Sequence, residues 1–578
     1  MRAITWLAFP ILASAILSGQ NPTVQSQAPT VRGGTSARAP ASDANEPPAV
    51  RPEDKCAILG VVLNQATGEA IKRAAISARR IDRPDGNPGS AVSQSDGTFE
   101  IRNLDPGRYM LSASKNGFAN QAYGARALDG SSGSTITLNA GQTIKDLNFG
   151  MTPHGVVAGR VIDDDGEPMA GVSIQVLRSM FRNGKRQTVP INQVTTNDLG
   201  EYRMFGLSPG RYYVLARFTM RGMMGEAIDL AYQPAYYPNA ADLGAAAPLP
   251  VIAGQTTRGV DFTLRRSPSF RITGRVTDSG RTLDRVSVWL ATKSPGGMAW
   301  DRQGSPVRNG KFEIRGVLPG AYVLGGDSFG TEGARTTARL SITVGNSNLD
   351  NLELAFSPGV EITGRVTYED APPEDIKNAP PPGRGQTVWL QPKDETMNMM
   401  GGAGPIGEGG KFVLKNIGPA AYQVNMQMVS PEAYIKAIRF GDADVTDQGL
   451  DLSNGPATGE LTIVVSYAGG TIDGTVENGK QEKPAGVQVV AVPELEKRGQ
   501  PRLFKVAATD QNGHFELKGL APGEYQLFAF EQIEPGAYQD SEILKPISDK
   551  GQRVTVKAKS KETVSLKIVP ADLTKVQE

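Results

Sequence analysis

The sequence has almost no cysteine. Cys56 is the only cysteine among 578 residues, so no disulfide can form within the chain. Each domain must therefore be stabilised by its hydrophobic core alone. Because apolar residues 57–59 follow Cys56, we expect its side chain to be buried in a strand as a small hydrophobic group.

Histidine is nearly absent as well, since His154 and His514 are the only two. A zinc peptidase needs two histidines and a carboxylate on one metal ion, whereas these two lie far apart in the sequence. The sequence therefore predicts no metal site and no cofactor.

Neither sign of charge dominates, because 61 basic residues face 60 acidic ones. Nucleic-acid binders normally carry a basic excess, so we expect no nucleic-acid partner. Long apolar runs are also missing. The run over 4–17 is shorter than the roughly 20 residues of a transmembrane helix and is typical of an export signal. We expect a signal peptide over 1–19, no membrane-spanning segment after its removal, and a secreted protein, extracellular or periplasmic.

Glycine and proline, by contrast, are abundant, with 67 and 40 residues. This composition favours many turns over long helices. Residues 20–54 are rich in Pro, Ser and Ala with few large apolar residues, which predicts a disordered linker.

One pattern recurs five times after this linker. Each copy has a glycine two residues before an aromatic residue, and a proline three residues before a tyrosine that follows the aromatic residue by ten positions. These pairs are Phe99 and Tyr109, Tyr202 and Tyr212, Phe312 and Tyr322, Phe412 and Tyr422, and Phe515 and Tyr525. Copies about 100 residues apart are too widely spaced for a solenoid, so each should form its own core.

The residues around each pair indicate β structure. Phe99 and Ile101 alternate with charged residues, which is typical of a half-buried strand. Pro106-Gly107 suits a tight turn with a positive φ at the glycine, although Ala420 takes that place in the fourth copy. We expect the ten aromatic residues to be structural, with each recurring tyrosine donating a hydrogen bond to the turn backbone.

The repeat divides the chain into five predicted β-sandwich modules, designated segments one to five. They cover 55–151, 152–266, 267–357, 358–467 with an extra hairpin, and 468–570, and a tail follows at 571–578. Because separate cores joined by short junctions couple weakly, we expect each segment to unfold independently.

The layout Gly-x-Val, Asp/Asn-Gly-x-Phe, Leu-x-Pro-Gly-x-Tyr and Ala-Gly-Gln-Thr resembles carboxypeptidase regulatory-like domains over residues 55 to about 570. That resemblance implies an all-β fold of tandem transthyretin-like (prealbumin-like) sandwiches, grouped with carbohydrate-binding-like folds. It says little about function, because the motif residues are turn and core residues.

Catalytic and metal-binding patterns are weak. Ser328 lies in a Gly-x-Ser-x-Gly string, but no helical run follows it as a nucleophile elbow requires. His514 occupies a strand position that is Thr, Glu or Lys in the other copies, and we expect it to be exposed and chemically indifferent. Asp163, Asp164 and Asp165 suit a hairpin turn better than a calcium loop. We therefore predict no catalytic residue.

The best binding candidates are loop tyrosines, namely Tyr123, Tyr232, Tyr236 and Tyr237. Exposed aromatic faces can stack on sugar rings, whereas the alternative is that these side chains cover the sandwich edge.

Two functions remain open. The first is a non-catalytic protein of the bacterial envelope that acts as a spacer and binding array for carbohydrate or another surface polymer, with weak sites adding through avidity. The alternative is an accessory subunit that binds an envelope protein partner, either a separate enzyme or an outer-membrane transporter.

Overall fold

The computed structural model describes residues 51–81, 88–125, 133–182, 184–218, 230–278, 286–293, 302–329, 335–370, 386–393, 402–428, 430–455, 458–478, 482 and 484–574. The predicted signal peptide and the linker up to residue 50 lie outside these ranges. About 60% of the described residues lie in strands, which confirms the predicted all-β class.

Segments one and two each place strands in separate sheets. The strands of segment one are β1 (Cys56–Asn64), β2 (Ala75–Arg80), β3 (Gly89–Val92), β4 (Thr98–Leu104), β5 (Gly107–Ser114), β6 (Gln121–Ala122), β7 (Thr135–Leu138) and β8 (Thr143–Met151). Those of segment two are β9 (Gly155–Asp163), β10 (Ser173–Arg182), β11 (Lys185–Thr195), β12 (Glu201–Leu207), β13 (Gly210–Arg217), β14 (Leu230–Tyr232), β15 (Ala235–Tyr236), β16 (Leu249–Val251), β17 (Thr256–Thr257), β18 (Phe262–Leu264) and β19 (Arg266–Pro268).

Segment three joins its strands in one seven-stranded hydrogen-bonded sheet, whereas segment four again has two sheets. The strands of segment three are β20 (Phe270–Asp278), β21 (Val286–Thr292), β22 (Arg302–Pro306), β23 (Lys311–Val317), β24 (Gly320–Phe329), β25 (Arg335–Val344) and β26 (Leu349–Pro358). Those of segment four are β27 (Val360–Tyr368), β28 (Thr387–Pro392), β29 (Ala403–Pro405), β30 (Lys411–Ile417), β31 (Ala421–Met426), β32 (Tyr434–Phe440), β33 (Ala443–Asp444), β34 (Leu450–Asp451) and β35 (Leu461–Ser466). In segment four, β32 and β33 form a hairpin.

Segment five adds short helical turns to its strands. The strands are β36 (Gly470–Glu477), β37 (Gln488–Pro493), β38 (Lys505–Ala508), β39 (His514–Leu520), β40 (Gly523–Phe530), β41 (Gln552–Val556) and β42 (Lys561–Val569). The α-helix α1 covers Ser541–Leu544. In the part of the chain that the structure describes, 3₁₀ turns cover Pro52–Asp54, Leu243–Ala245, Glu408–Gly410, Leu495–Lys497, Pro501–Leu503, Ala537–Gln539, Lys545–Lys550 and Ala571–Thr574. Within the described ranges, no helix has the length and apolar character to cross a membrane.

All five segments share one strand arrangement. The first strand of each segment, which is β1, β9, β20, β27 or β36, lies between an antiparallel and a parallel neighbour. The second strand of each segment pairs antiparallel with a later strand on the other side of the sandwich. These pairs are β2 with β5, β10 with β13, β21 with β24, β28 with β31, and β37 with β40. Inward-facing residues of both sides form the core.

A glycine in each first strand makes room for the recurring aromatic residue. Gly364 pairs with Phe412 across β27 and β30. A methyl group on Gly364 would overlap the Phe412 ring and lie 2.5 Å from the carbonyl oxygen of Leu461 on the parallel neighbour. Because a backbone carbonyl cannot move aside, this position tolerates only glycine. The equivalent glycines Gly60, Gly159, Gly274 and Gly474 meet a carbonyl oxygen in the same way.

The recurring tyrosines form one corner in every segment, as their sequence pattern predicts. Each hydroxyl donates to the carbonyl oxygen of the residue before the proline, at 2.6 to 3.0 Å. The acceptors are Asp105, Ser208, Leu318, Gly418 and Ala521. Four of these tyrosines are at most 4% exposed, while Tyr322 is half-buried. Burial raises the pKa of the Tyr525 hydroxyl to about 12, so this group stays a proton donor.

The positive φ expected at the glycine after the proline is confirmed at Gly107, Gly210 and Gly523, which have φ between 156° and 158°. These values lie near the extended region and not at left-handed helical values. The left-handed residue stands three positions before each proline, where Asn103, Gly206, Gly316, Asn416 and Gly519 have φ between 61° and 78°. It coincides with a register shift between the first strand and its antiparallel neighbour, which marks a β-bulge.

The buried side chains group mainly by segment. Five clusters lie within 56–151, 157–264, 272–356, 362–465 and 472–566. Cys56 is 2% exposed in the first of these and donates to the carbonyl oxygen of Asn139 at 3.0 Å, which confirms its predicted place.

The segments are coupled by more than short junctions, contrary to our expectation. Phe181 at the end of β10 belongs to a buried cluster with Phe530 and Ile543 of segment five. Gln511 of segment five exchanges two hydrogen bonds with the backbone of Thr137 in segment one, at 3.0 and 3.1 Å. Segment five therefore packs against segments one and two, and its unfolding should affect theirs.

Candidate functional site

The predicted loop tyrosines are half-buried and packed against their own segments. The Tyr123 ring lies 5.8 Å from Phe149, and the Tyr237 ring lies edge-on to Phe262 at 6.3 Å. Burial raises the pKa of the Tyr123 and Tyr236 hydroxyls. These contacts fit the alternative interpretation, in which such side chains cover the sandwich edge.

Tyr232 stands apart from the other three. Its ring packs edge-on against Phe218 at 5.6 Å, and its hydroxyl lies 3.4 Å from a carboxylate oxygen of Asp163. Tyr232 also lines a cleft of about 100 Å³ between segments two and three. The four tyrosines do not share one surface, since Tyr123 lies in segment one.

The three consecutive aspartates form a turn closed by an ion pair. Asp163 accepts hydrogen bonds from the backbone N–H groups of Asp165 and Glu167, each at 3.0 Å. Arg266 binds Asp164 at 2.8 Å and also contacts Asp165. The guanidinium thus neutralises two of the three carboxylates, as in the hairpin turn that the sequence favours.

The residues considered for catalysis have structural surroundings. Ser328 is 3% exposed and pairs within strands β21, β24 and β25, so it does not stand at a strand-to-helix turn. His514 lies at the start of β39, where its side chain is 41% exposed. Its Nε2 lies 3.0 Å from a carboxylate oxygen of Asp473 on β36. Burial lowers the pKa of His154.

A larger cleft lies where segment four meets the outer face of segment three. Its volume is about 420 Å³, and we call it the arginine cleft. Segment three contributes the side chains Trp289, Arg302, Asp327, Arg335 and Arg339, and segment four contributes its corner at Gly418, Pro419 and Tyr422. Arg335, Thr337, Arg339 and Ser341 reach the cleft together because alternate residues of β25 share a face.

Trp289 organises this face. Its ring crosses β24 at Gly325, where any side chain would overlap the indole. The indole N–H donates to Asp327 at 3.0 Å, and Arg335 binds the same carboxylate at 2.5 and 3.2 Å. The guanidinium carbon of Arg302 lies 3.9 Å from the indole ring centroid, within cation–π range.

Arg302 and Arg339 both lie near the Trp289 ring, with Arg339 at 5.6 Å. Among the described residues, the buried Nε of Arg302 has no hydrogen-bond partner. Burial lowers the pKa of the Arg302 guanidinium. A buried N–H without an acceptor is unfavourable. The Nε–H of Arg302 could therefore donate a hydrogen bond to an anionic partner.

The next junction has a cleft of similar size but different charge. We call it the paired-charge cleft; it measures about 400 Å³ and lies between the β32–β33 region of segment four and the corner of segment five at Ala521–Tyr525. Arg502 donates to Asp447 at 2.8 Å and to the carbonyl oxygen of Thr446 at 3.0 Å. Lys497 pairs with Glu494 at 2.6 Å.

Sequence analysis missed the arginine cleft, although its signal was present. Trp289 falls at an outward position of a strand whose Val288 and Leu290 face the core. Arg335 and Arg339 are four residues apart, on the same face of a strand. The approach of Arg302 depends on tertiary pairing between β21 and β22 and could not be derived from spacing.

Two stretches of the chain match a family model for the carboxypeptidase regulatory-like domain, residues 57–152 and 156–265. The two stretches correspond to segments one and two, so the similarity to this family covers these two tandem β-sandwich segments. No curated protein matches the chain in sequence.

Solved structures similar to parts of the chain are distant from it. The Bacillus anthracis TIE protein is 11% identical over 53% of this chain and 51% of its own, with a TM-score of 0.17. The minor pilin GBS52 of Streptococcus agalactiae is 14% identical over 37% of this chain and 96% of its own, with a TM-score of 0.21. BcpA, the major pilin subunit of Bacillus cereus, is 12% identical over 52% of this chain and 100% of its own, with a TM-score of 0.13. The chain thus spans about half the length of the first of these proteins, and scores this low support no inference about function.

Proposed function

We propose that this chain is a secreted, non-catalytic protein of the bacterial envelope that binds carbohydrate or another surface polymer through clefts between its segments. The observation that carries the proposal is a junction cleft that recurs three times. In each case the tyrosine corner of one segment faces the segment before it. The clefts measure about 100, 420 and 400 Å³ at the second, third and fourth junctions.

The recurrence has a structural cause. A corner bonded through Tyr322, Tyr422 or Tyr525 is rigid, so it forms one fixed wall of each cleft. The opposite wall belongs to a different segment and varies in sequence. Several weak sites of this kind on one chain would add through avidity.

Five modules of the regulatory-like type are part of this proposal. Segments three to five lie outside the family match, yet they share its opening glycine, its bulge and its tyrosine corner. Export is supported by the sequence of residues 1–19. A non-catalytic role is supported by Ser328, which lies inside a strand and is 3% exposed.

Of the four loop tyrosines, Tyr232 has the best position for ligand contact, because it lines the cleft between segments two and three. Tyr123, Tyr236 and Tyr237 would then mainly cover the edges of their own sandwiches. Contacts of segment five with segments one and two favour a binding unit over a string of independent spacers.

The proposal is tested by a pull-down of the chain lacking residues 1–19 on insoluble polysaccharides and peptidoglycan, with an assay for hydrolysis in parallel. We expect retention on at least one polymer and no cleavage of it. Retention on none, together with a stable complex with an envelope enzyme or transporter, would instead favour the accessory-subunit function.

A further inference from the structure

The residues that line the arginine cleft carry excess positive charge. Among the described residues that line it, three arginines, Arg302, Arg335 and Arg339, accompany one carboxylate, that of Asp327. The formal charge of these described side chains is +2, although the whole chain has a net charge of only +1.

The one carboxylate already has two partners. Asp327 accepts from both Nε and Nη2 of Arg335 and from the indole N–H of Trp289. The guanidinium of Arg302 instead lies over the indole ring, and its buried Nε lacks an acceptor among the described residues. An oxyanion bound beside Arg302 would supply this acceptor and balance the charge.

The other described lining residues are uncharged, and several of them are polar. Thr337, Ser341, Ser357, Asn416 and Ser453 add hydroxyl and amide groups around the arginines. Such groups match a ligand that carries several hydroxyls. The volume of about 420 Å³ falls within the roughly 300–1,000 Å³ of small-ligand sites.

The buried indole argues against a nucleic acid as the anion. Trp289 is 6% exposed, so its face is not open for stacking with a base, as single-strand binders require. A basic stripe along the chain is also missing from the balanced composition.

We propose that the arginine cleft binds an acidic saccharide, with the carboxylate of a sugar ring held by Arg302 and Arg339 and the sugar hydroxyls by the serine, threonine and asparagine side chains. This inference rests on the proposed function, because it names the ligand class of one of its clefts. Arginine suits a carboxylate because its planar fork can donate two parallel hydrogen bonds.

The test is a calorimetric titration of the full chain with trigalacturonate, and with galactotriose as the matched neutral sugar. We expect binding of trigalacturonate that weakens as salt is added, and no detectable binding of galactotriose. Arg302→Gln and Arg339→Gln should each weaken binding at least about tenfold, the scale of one lost charge-assisted hydrogen bond. Arg302→Lys keeps the positive charge but loses the planar fork of the guanidinium, so its affinity for trigalacturonate should lie between those of the parent and Arg302→Gln.

Arg275→Gln is the control. Arg275 of segment three lines none of the three clefts, its side chain is 66% exposed, and its charge is paired with Glu353 at 3.0 Å, so binding should stay within about twofold of the parent. Thermal unfolding of each variant confirms that it is folded.

Several outcomes would overturn the inference while the proposed function stands. These are equal binding of trigalacturonate by the parent and the folded Arg302→Gln and Arg339→Gln variants, or retention of the chain on neutral polymers alone. Arginine-dependent binding of inorganic phosphate without binding of trigalacturonate would also reject the saccharide. Failure to bind any polymer would reject both proposals.

Discussion

The arginine cleft and the paired-charge cleft have the same architecture and opposite electrostatics. Both lie between a tyrosine corner and the preceding segment, and their volumes are about 420 and 400 Å³. Among the described residues, the paired-charge cleft is lined by four carboxylates and three basic groups, whereas the arginine cleft is lined by three arginines and one carboxylate.

This difference separates the framework of the repeat from its variable surface. The corner, the opening glycine and the bulge fix the geometry of each junction, because all three depend on backbone contacts. The side chains opposite the corner are not constrained by these contacts. Charge can therefore differ between junctions without any change of fold.

The largest expected effect is loss of a corner tyrosine. Tyr422→Ala and Tyr525→Ala should each destabilise the protein by about 3–5 kcal/mol, as for other buried aromatic residues. The two effects should be similar, because both side chains are nearly buried and make the same hydrogen bond. Chemical denaturation followed by circular dichroism measures both.

The control is the phenylalanine variant at each site, which should cost only about 0.5–1.5 kcal/mol for the lost hydrogen bond. A parent-like stability of Tyr422→Ala would show that this tyrosine serves the cleft and not the fold, which would break the equivalence of the two corners.

Much of this framework could be predicted from the sequence, since it depends on local chemistry. The strand alternation at Phe99, the glycine with positive φ before each aromatic residue and the tyrosine hydrogen bond all follow from short patterns. The bulge could not be predicted from the Pro106-Gly107 turn, because it lies three residues before the proline. The residue that needs a left-handed conformation is Asn103, and asparagine is enriched there in all proteins.

The clefts themselves could not be predicted in the same way. The docking of Phe181 into segment five joins residues far apart in the sequence. The contact between Arg302 and Trp289 depends on strand register. The burial of the loop tyrosines is set by such long-range contacts. No local pattern encodes these contacts, so the sequence could not show that the loop tyrosines are half-buried.

The second expected effect concerns the carboxylate of the arginine cleft. Asp327→Ala removes the acceptor of Arg335 and of the Trp289 indole, and both Asp327 and Arg335 have side chains less than 20% exposed. We expect a loss of about 1.5–3 kcal/mol, typical of hydrogen bonds to charged groups. Urea denaturation measures this loss, and an unchanged midpoint would mean that Asp327 does not organise the cleft.

The third effect tests whether segments four and five, whose tyrosine corners form the two clefts, have the same backbone framework. Gly364→Ala and Gly474→Ala place a methyl group against a backbone carbonyl on the parallel strand. We expect each to cost about 1–3 kcal/mol, as overpacking usually does. Gly409→Ala is not a suitable control because its φ is 67°. Gly499→Ala, which meets no atom within 4 Å, should leave the denaturation midpoint nearly unchanged.

The smallest expected effect is the counterpart of Asp327→Ala in the paired-charge cleft. Asp447 is 59% exposed on its side chain, and its partner Arg502 keeps hydrogen bonds to the carbonyl oxygen of Thr446 and to Gln500. Water screens such a pair, so Asp447→Ala should cost less than about 1 kcal/mol. The same urea series measures it beside Asp327→Ala. Equal losses of stability at the two sites would contradict the contrast between the clefts. They would show that the exposure of a carboxylate, and the other hydrogen bonds of its partner, do not determine how much that carboxylate stabilises the protein.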